Sequence, residues 1–576
     1  MLPKIRKGLK YLFIIALIVV VVLAVWIFIL PPSPPPPNVI IYLVDALRPD
    51  HLGLYGYVRD TSPFLDELSK QGVIFNNAFS LSAWTRPSVG TLFTSLYPSF
   101  HGAVNRDSTV KKSVVTISEV LKKKGYQTAA FLANGNIFGK GLNFEQAFDT
   151  FTAIEGKSYR HGSGQEIIDA VTPWIRENQT SPFFLYIHTV DSHDPYFAPP
   201  YLRKMFIDSK IFSERESQVI YSRPHISKFI NHYDATVRYS DLIFKKFWDV
   251  LKGLDLLNNS IIIFLADHGE EFLEHGGLHH GGRLFNEQVR IPVIFWVPHI
   301  SKLKPRVNAY VRTLDIAPTI LSMLKIPSPS IWQGKSLLPV MIGDVPDTEG
   351  KDIYFSEELD KFKLYGIRND QFHYILSLKP EFEESLFDLK KDPYEKENIV
   401  ENNGNDDAAL EDMRIKMMNF IADTSAGYHI SYFDATNKPI NLTLETDGKF
   451  ENIISGRNVT VDLNSKENQI NLKISQNNDR ICFSILPETA NLRITNPVTS
   501  SDPIPIQLGE KRKTVFENNL EIKGIDQSVV SEYGFPPGLE FKKTGIYLWK
   551  ISIASREKFK PDEKTIQNLK SLGYIK

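Results

Sequence analysis

Asn38-Val39-Ile40-Ile41-Tyr42-Leu43-Val44-Asp45 is a run of apolar, largely β-branched residues that stops at a carboxylate. A strand with one face in water would turn polar at every second position. This one does not, and so fits a central strand covered on both faces, as in a parallel sheet between helices. Phe183-Phe184-Leu185-Tyr186-Ile187 and Ile261-Ile262-Ile263-Phe264-Leu265 have the same character, and the latter leads into Ala266-Asp267-His268. Open α/β sheets build their sites at the carboxyl ends of strands, so position alone makes Asp45, Asp267 and His268 functional candidates. Helix starts are legible between the strands, as at Ser62-Pro63, with serine as N-cap and proline at the first helical position.

The 576 residues exceed one ordinary core, so at least two folded parts are expected. Formal net charge is −1, and no run of more than three consecutive lysines or arginines occurs, which speaks against a nucleic-acid partner. The single cysteine, Cys482, rules out an internal disulfide.

Lys4, Arg6, Lys7 and Lys10 precede Tyr11 to Leu30, an uninterrupted apolar run of the length that crosses a bilayer as a helix. The basic flank predicts that residues 1–10 stay cytoplasmic and the rest is exported. A cleaved signal peptide is the competing reading, but it would have a shorter apolar core and a small-residue cleavage site. Here the run passes into residues 31–37, Pro-Pro-Ser-Pro-Pro-Pro-Pro, an extended semi-rigid spacer. The expectation is a single-pass cell-membrane protein with an extracytoplasmic catalytic domain over 38–425.

From 426 to 556 the periodicity changes to two. Ile440, Leu442 and Leu444 alternate with polar neighbours, as do Val459, Val461 and Leu463, then Ile470, Leu472 and Ile474, then Tyr547, Trp549, Ile551 and Ile553. Short alternating strands between Asn, Gly and Lys turns predict a β-sandwich-like domain, with packing as its default role. Residues 557–576 read as a short C-terminal helix.

The chemistry centres on Trp84-Thr85-Arg86-Pro87-Ser88-Val89. Carboxylates and imidazole suit a divalent cation, and a cation touching Thr85 Oγ would favour the alkoxide, turning a weak alcohol into a nucleophile. Each residue alone is more readily a polar turn; the combination points to one site.

The order of these pieces resembles the sulfatase family of the alkaline phosphatase superfamily. It runs from the strand ending in Asp45, through Leu47-Arg48-Pro49-Asp50-His51-Leu52-Gly53, to Thr85-x-Pro87-Ser88 with Thr94, Tyr97-Pro98 and His101-Gly102. His193-Asp194-Pro195-Tyr196, Ala266-Asp267-His268-Gly269-Glu270, His280-Gly281 and Arg290-Ile291-Pro292 follow. The resemblance implies an α/β fold with a mixed sheet flanked by helices. It also implies one divalent cation (Ca, Mg, Mn or Zn) held by Asp45, Thr85, Asp267 and His268. Thr85 would be the catalytic nucleophile, with Arg86, His193 and His280 on the substrate. A second ion on Asp191, His193 and His280 is the alternative.

Three departures shape the expected activity. The family places cysteine or serine at the position of Thr85, where oxidation gives an aldehyde; threonine cannot give one. The arginine four residues on is Val89, and Ala46 stands where many members carry a second aspartate. A threonine nucleophile resembles the superfamily's phosphoester hydrolases and phosphotransferases. The expected activity is therefore a phosphoric ester hydrolase or phosphotransferase acting through a covalent Thr85 intermediate, on a substrate such as a lipid headgroup or surface polymer. A sulfuric ester hydrolase is the first alternative and a catalytically silent envelope scaffold the second.

Overall fold

The run that begins at Asn38 forms the centre of an eight-stranded sheet. The computed structural model describes residues 15–16 and 35–551 apart from 140, 155–163, 208–209, 348–351, 382, 401–406, 426, 457, 496–503, 510–512, 516–518, 525, 527–528 and 532–540. The chain divides into Met1–Pro37 and Asn38–Lys576. The apolar run Tyr11 to Leu30, apart from Ile15 and Ala16, and the expected helix over 557–576 lie outside the described residues. Among the described residues no helix is long and apolar enough to cross a membrane.

The large sheet contains β1 (Asn38–Val44), β2 (Val73–Phe79), β3 (Gln127–Leu132), β4 (Thr150–Ala153), β5 (Phe183–Thr189) and β6 (Ser260–Ala266). A two-stranded hairpin, β7 (Glu271–Phe272) and β8 (Leu278–His279), follows, and β9 (Val293–Trp296) and β10 (Arg306–Arg312) complete the sheet. The order is β10-β2-β9-β6-β1-β5-β3-β4. Only β9 opposes its neighbours, so the sheet is mixed, as expected. Every residue of β1, β5 and β6 is buried, the packing that a non-alternating apolar run requires. In register Val44 lies beside Ala266 and Thr189, which brings the ends of the three strands, and the residues after them, together.

A smaller antiparallel meander, β11 (Ile353–Leu359), β12 (Phe362–Arg368), β13 (Phe372–Lys379) and β14 (Glu383–Asp388), lies beside this sheet, and the helix Asp407–Thr424 follows it. Beyond it, a seven-stranded and a five-stranded sheet enclose their own core, with Ile430 and Ile481 from one meeting Leu442 and Leu472 from the other. Gly545–Ile551 departs from the expected apolar/polar alternation, because both of its faces are buried. Ile546 and Leu548 face that core, while Tyr547, Trp549 and Ile551 join the main cluster with Met413, Met417 and Phe420. The β-rich region therefore covers the Asp407–Thr424 helix through the outer face of one sheet.

Candidate active site

Thr85 is the first residue of the helix Thr85–Thr94, entered from an extended Trp84. A helix N-terminus carries a partial positive charge, which favours an anionic oxygen there. Thr85 Oγ1 lies 3.3 Å from His268 Nε2 and 3.2 Å from Asn134 Nδ2, which also donates to Asp45 Oδ2. His268 Nε2 is 3.5 Å from Asp45 Oδ1 and 3.4 Å from Asp267 Oδ2. All five side chains are buried.

The two carboxylates are oriented from behind. Asp267 Oδ1 accepts the amides of Ala46 (3.2 Å) and His268 (3.0 Å), and His188 Nε2 meets Asp45 Oδ2 at 3.1 Å. This leaves Asp45 Oδ1 and Asp267 Oδ2 buried with no hydrogen-bond partner. Burial and the Asp45 charge push Asp267 above the usual carboxylate range. For Asp45, burial is the largest single influence and acts upward, but the His188 hydrogen bond and the His193 and His268 charges outweigh it and hold the group down. Two buried carboxylates turned toward one imidazole want a cation. Ligands at ~2.1 Å from one ion lie roughly 3.0–3.4 Å apart, close to the separations found here, so these residues fit a divalent ion. His268 is oriented for this, because its Nδ1–H donates to the Gly269 carbonyl (2.9 Å) and turns Nε2 toward the carboxylates.

His193 and His280 arrive on the same side. The His280 ring centroid is 4.2 Å from that of His268 and 4.9 Å from that of His193. Burial, reinforced by the neighbouring histidines, holds the His280 imidazole well below its usual value. Its Nδ1 contacts Glu270 Oε1 at 3.0 Å, and Tyr196 donates to Glu270 Oε2 at 2.9 Å.

Two expectations change. Arg86, expected on the substrate, donates from Nε to the Asn136 carbonyl and from Nη1 to the carbonyls of Asn105, Arg106 and Ser108, so it braces two loops. Burial, reinforced by the Arg106 charge, lowers the guanidinium to about 9. The second ion site on Asp191, His193 and His280 is not assembled among the described residues. Asp191 instead accepts the Gly164 amide at 3.0 Å. Two other ligand-like groups, His51-Glu216-Asp234 and Glu271-His275-Glu287, are tied up by Tyr57, Arg59, Arg215 and Gln288.

Asn134, Asn136, His188 and Glu270 are additions that the sequence reading did not make. Asn136 is buried and neither its Nδ2 nor its Oδ1 has a hydrogen-bond partner. The available signal was position: Asn134 and Asn136 follow β3, and His188 extends the apolar run of β5.

A family model described as Sulfatase matches residues 37–326, half of the chain. The chain belongs to the sulfatase family. A second model, N-sulphoglucosamine sulphohydrolase C-terminal, matches residues 274–423, so both matches to sulfatase segments end before the β-rich region. An ulvan-active sulfatase of Formosa agariphila is 24% identical over 402 residues, which cover 63% of this chain and 77% of that protein. A protein solved with its substrate D-glucosamine-2-N,6-O-disulfate matches with TM-score 0.58 at 20% identity, over 67% of this chain and 97% of that one. The phosphonate monoester hydrolase of Agrobacterium radiobacter gives TM-score 0.57 at 18% identity, over 68% and 96%. At such identities the structural likeness speaks for the sulfatase fold alone.

Proposed function

We propose that this sulfatase-family hydrolase is metal-dependent and cleaves or transfers a phosphate ester through a covalent Thr85 intermediate. The observation carrying the reading is the placement of Thr85 Oγ1, at a helix N-terminus and 3.3 Å from His268 Nε2. Asp45, Asp267, His268 and Thr85 would hold the cation, which supplies positive charge where phosphoryl transfer spreads negative charge. Thr85 Oγ loses its proton to solvent and forms a bond to phosphorus while the ester oxygen leaves. The departing oxygen takes a proton from His193, His280 contacts an ester oxygen, and water or an acceptor hydroxyl, giving up its own proton, then displaces Thr85 Oγ, which is reprotonated. Asn134 holds Thr85 against Asp45, and the unpartnered amide of Asn136 suits an oxygen of the bound ester. Export on an uncleaved Tyr11 to Leu30 anchor belongs to the same reading and would favour lipid headgroups or surface polymers as substrates.

Sulfuric ester hydrolysis is the second reading, favoured by the activities in the names of the relatives. It would have to proceed without the aldehyde that threonine cannot form. The full chain, purified in detergent, decides. Turnover of aryl phosphate mono- or diesters with added Mn, Mg, Ca or Zn, lost in Thr85→Ala, supports the first reading. Preference for aryl sulfate over every phosphate ester supports the second.

A further inference from the structure

The inward stripe of β11 reads Ile353, Phe355, Glu357, Leu359, all buried. A carboxylate among three apolar residues is costly unless its bonds serve a purpose, and a well-packed apolar side chain would serve stability at least as well. Glu357 Oε2 accepts the Ser82 hydroxyl at 2.6 Å and the Ala83 amide at 2.8 Å, while Oε1 is buried without a hydrogen-bond partner. The Ser356 amide adds a bond to the Leu81 carbonyl at 3.0 Å. The smaller sheet thus grips the segment two to four residues ahead of Thr85. The next electrostatic neighbours of Glu357 are the His268 imidazole and the Gly282 amide, two residues after His280.

Resting on the reading above, we propose that Glu357 is a positioning residue for the reaction, holding the Ser82-Ala83 turn so that Thr85 enters its helix with Oγ1 against His268. Within the described residues, it links the smaller sheet directly to the segment that carries the nucleophile. A displacement of about 1 Å at a reacting atom costs on the order of 10²-fold in rate, so one lost anchor is enough to be measured.

The test uses the full chain in detergent with Glu357→Ala, Glu357→Gln and Ser82→Ala. Glu357→Gln keeps an oxygen for both donors and should stay within ~3-fold of the parent kcat. Glu357→Ala should lower kcat ~10²-fold with KM within ~3-fold, and Ser82→Ala, which removes one donor, ~10-fold. Wild-type kcat in Glu357→Ala overturns the proposal. If that variant does not fold, wild-type kcat in Ser82→Ala overturns it. A crystal structure of the folded variant with the lower kcat reads the position directly. The proposal predicts that the Thr85 Oγ1 to His268 Nε2 separation, 3.3 Å here, widens, and an unmoved Thr85 refutes it. That readout holds whatever ester is the substrate, whereas an inert parent enzyme refutes the reaction class and not the anchor.

Discussion

Thr85 Oγ1 and His268 Nε2, 183 positions apart in the chain, lie 3.3 Å from each other on two different elements, the start of a helix and the turn after β6. Neither is positioned by its own segment alone. Asn134 fixes the hydroxyl from one side and the Gly269 carbonyl fixes the imidazole from the other.

Asp45 Oδ1 and Asp267 Oδ2 are buried without hydrogen-bond partners. Neutralising one carboxylate should relieve their repulsion in the metal-free protein and at the same time remove the cation site. Asp267→Asn is therefore expected to raise the Tm of the chelated chain and to abolish the rise that added divalent cation gives the parent. At ~100-fold excess over Kd that rise corresponds to about 2.7 kcal/mol. Calorimetry with and without metal checks it, and an equal metal response in the variant would remove Asp267 from the ligand set.

Gly90 sits one helical turn and a half beyond Thr85, and a Cβ there would approach His101 Cε1 to 2.6 Å and Nδ1 to 2.8 Å. Helix propensity alone would reward Gly90→Ala with about 1 kcal/mol. Overpacking against a buried ring costs ~1–3 kcal/mol, so the clash should win. The expected outcome is a lower denaturation midpoint and reduced turnover, because the strained helix carries Thr85. A stabilised variant would show that His101 yields.

His101 and His429 are buried, and burial, the dominant influence, pushes each imidazole down to about 3. The folded value lies below the unfolded ~6.5, so between those limits the unfolded chain binds more protons and stability falls as pH drops, by up to ~1.4 kcal/mol per pH unit for each histidine. Asp241 and Glu357, both pushed up to about 7 mainly by burial, act in the opposite sense as pH rises toward 7. A variant comparison isolates the histidine effect. The stability gap between His101→Gln and the parent should shrink by roughly 2 kcal/mol between pH 7 and pH 5. A constant gap in urea denaturation would mean that His101 takes up its proton while folded.

Legibility followed the range of the interactions. The buried strands and the residues ending them, Asp45 and Asp267-His268, were readable because a non-alternating apolar run reports burial on both faces within seven residues. The period-two stripes of the β-rich region were readable for the same local reason, although which partner Trp549 covers was not. The loop bonds of Arg86 were not legible, because a guanidinium next to a nucleophile looks the same in sequence whether or not it also holds backbone carbonyls. Asn134, His188 and Glu357 were not found, since an amide after a strand or a carboxylate in one gains meaning only when sheet order brings it to Asp45 or Ser82.

Trp549 is buried, stacks on His429 with centroids 5.1 Å apart and shares a core with Met417 and Phe420. Trp549→Ala should cost ~3–5 kcal/mol. A chain ended after Ser425 should aggregate, because the Asp407–Thr424 helix loses its cover. A soluble, monomeric truncation by size-exclusion chromatography would show that the β-rich region is dispensable for folding.

The most direct measurement is mass spectrometry of the Thr85 peptide from full-length enzyme quenched during turnover of an aryl phosphate. The account predicts one phosphoryl group on Thr85, absent from the Thr85→Ala protein, which should lose on the order of 10³-fold or more in kcat. An unmodified Thr85 peptide from a rapidly quenched, actively turning-over enzyme, together with a Thr85→Ala variant that retains activity, would contradict it.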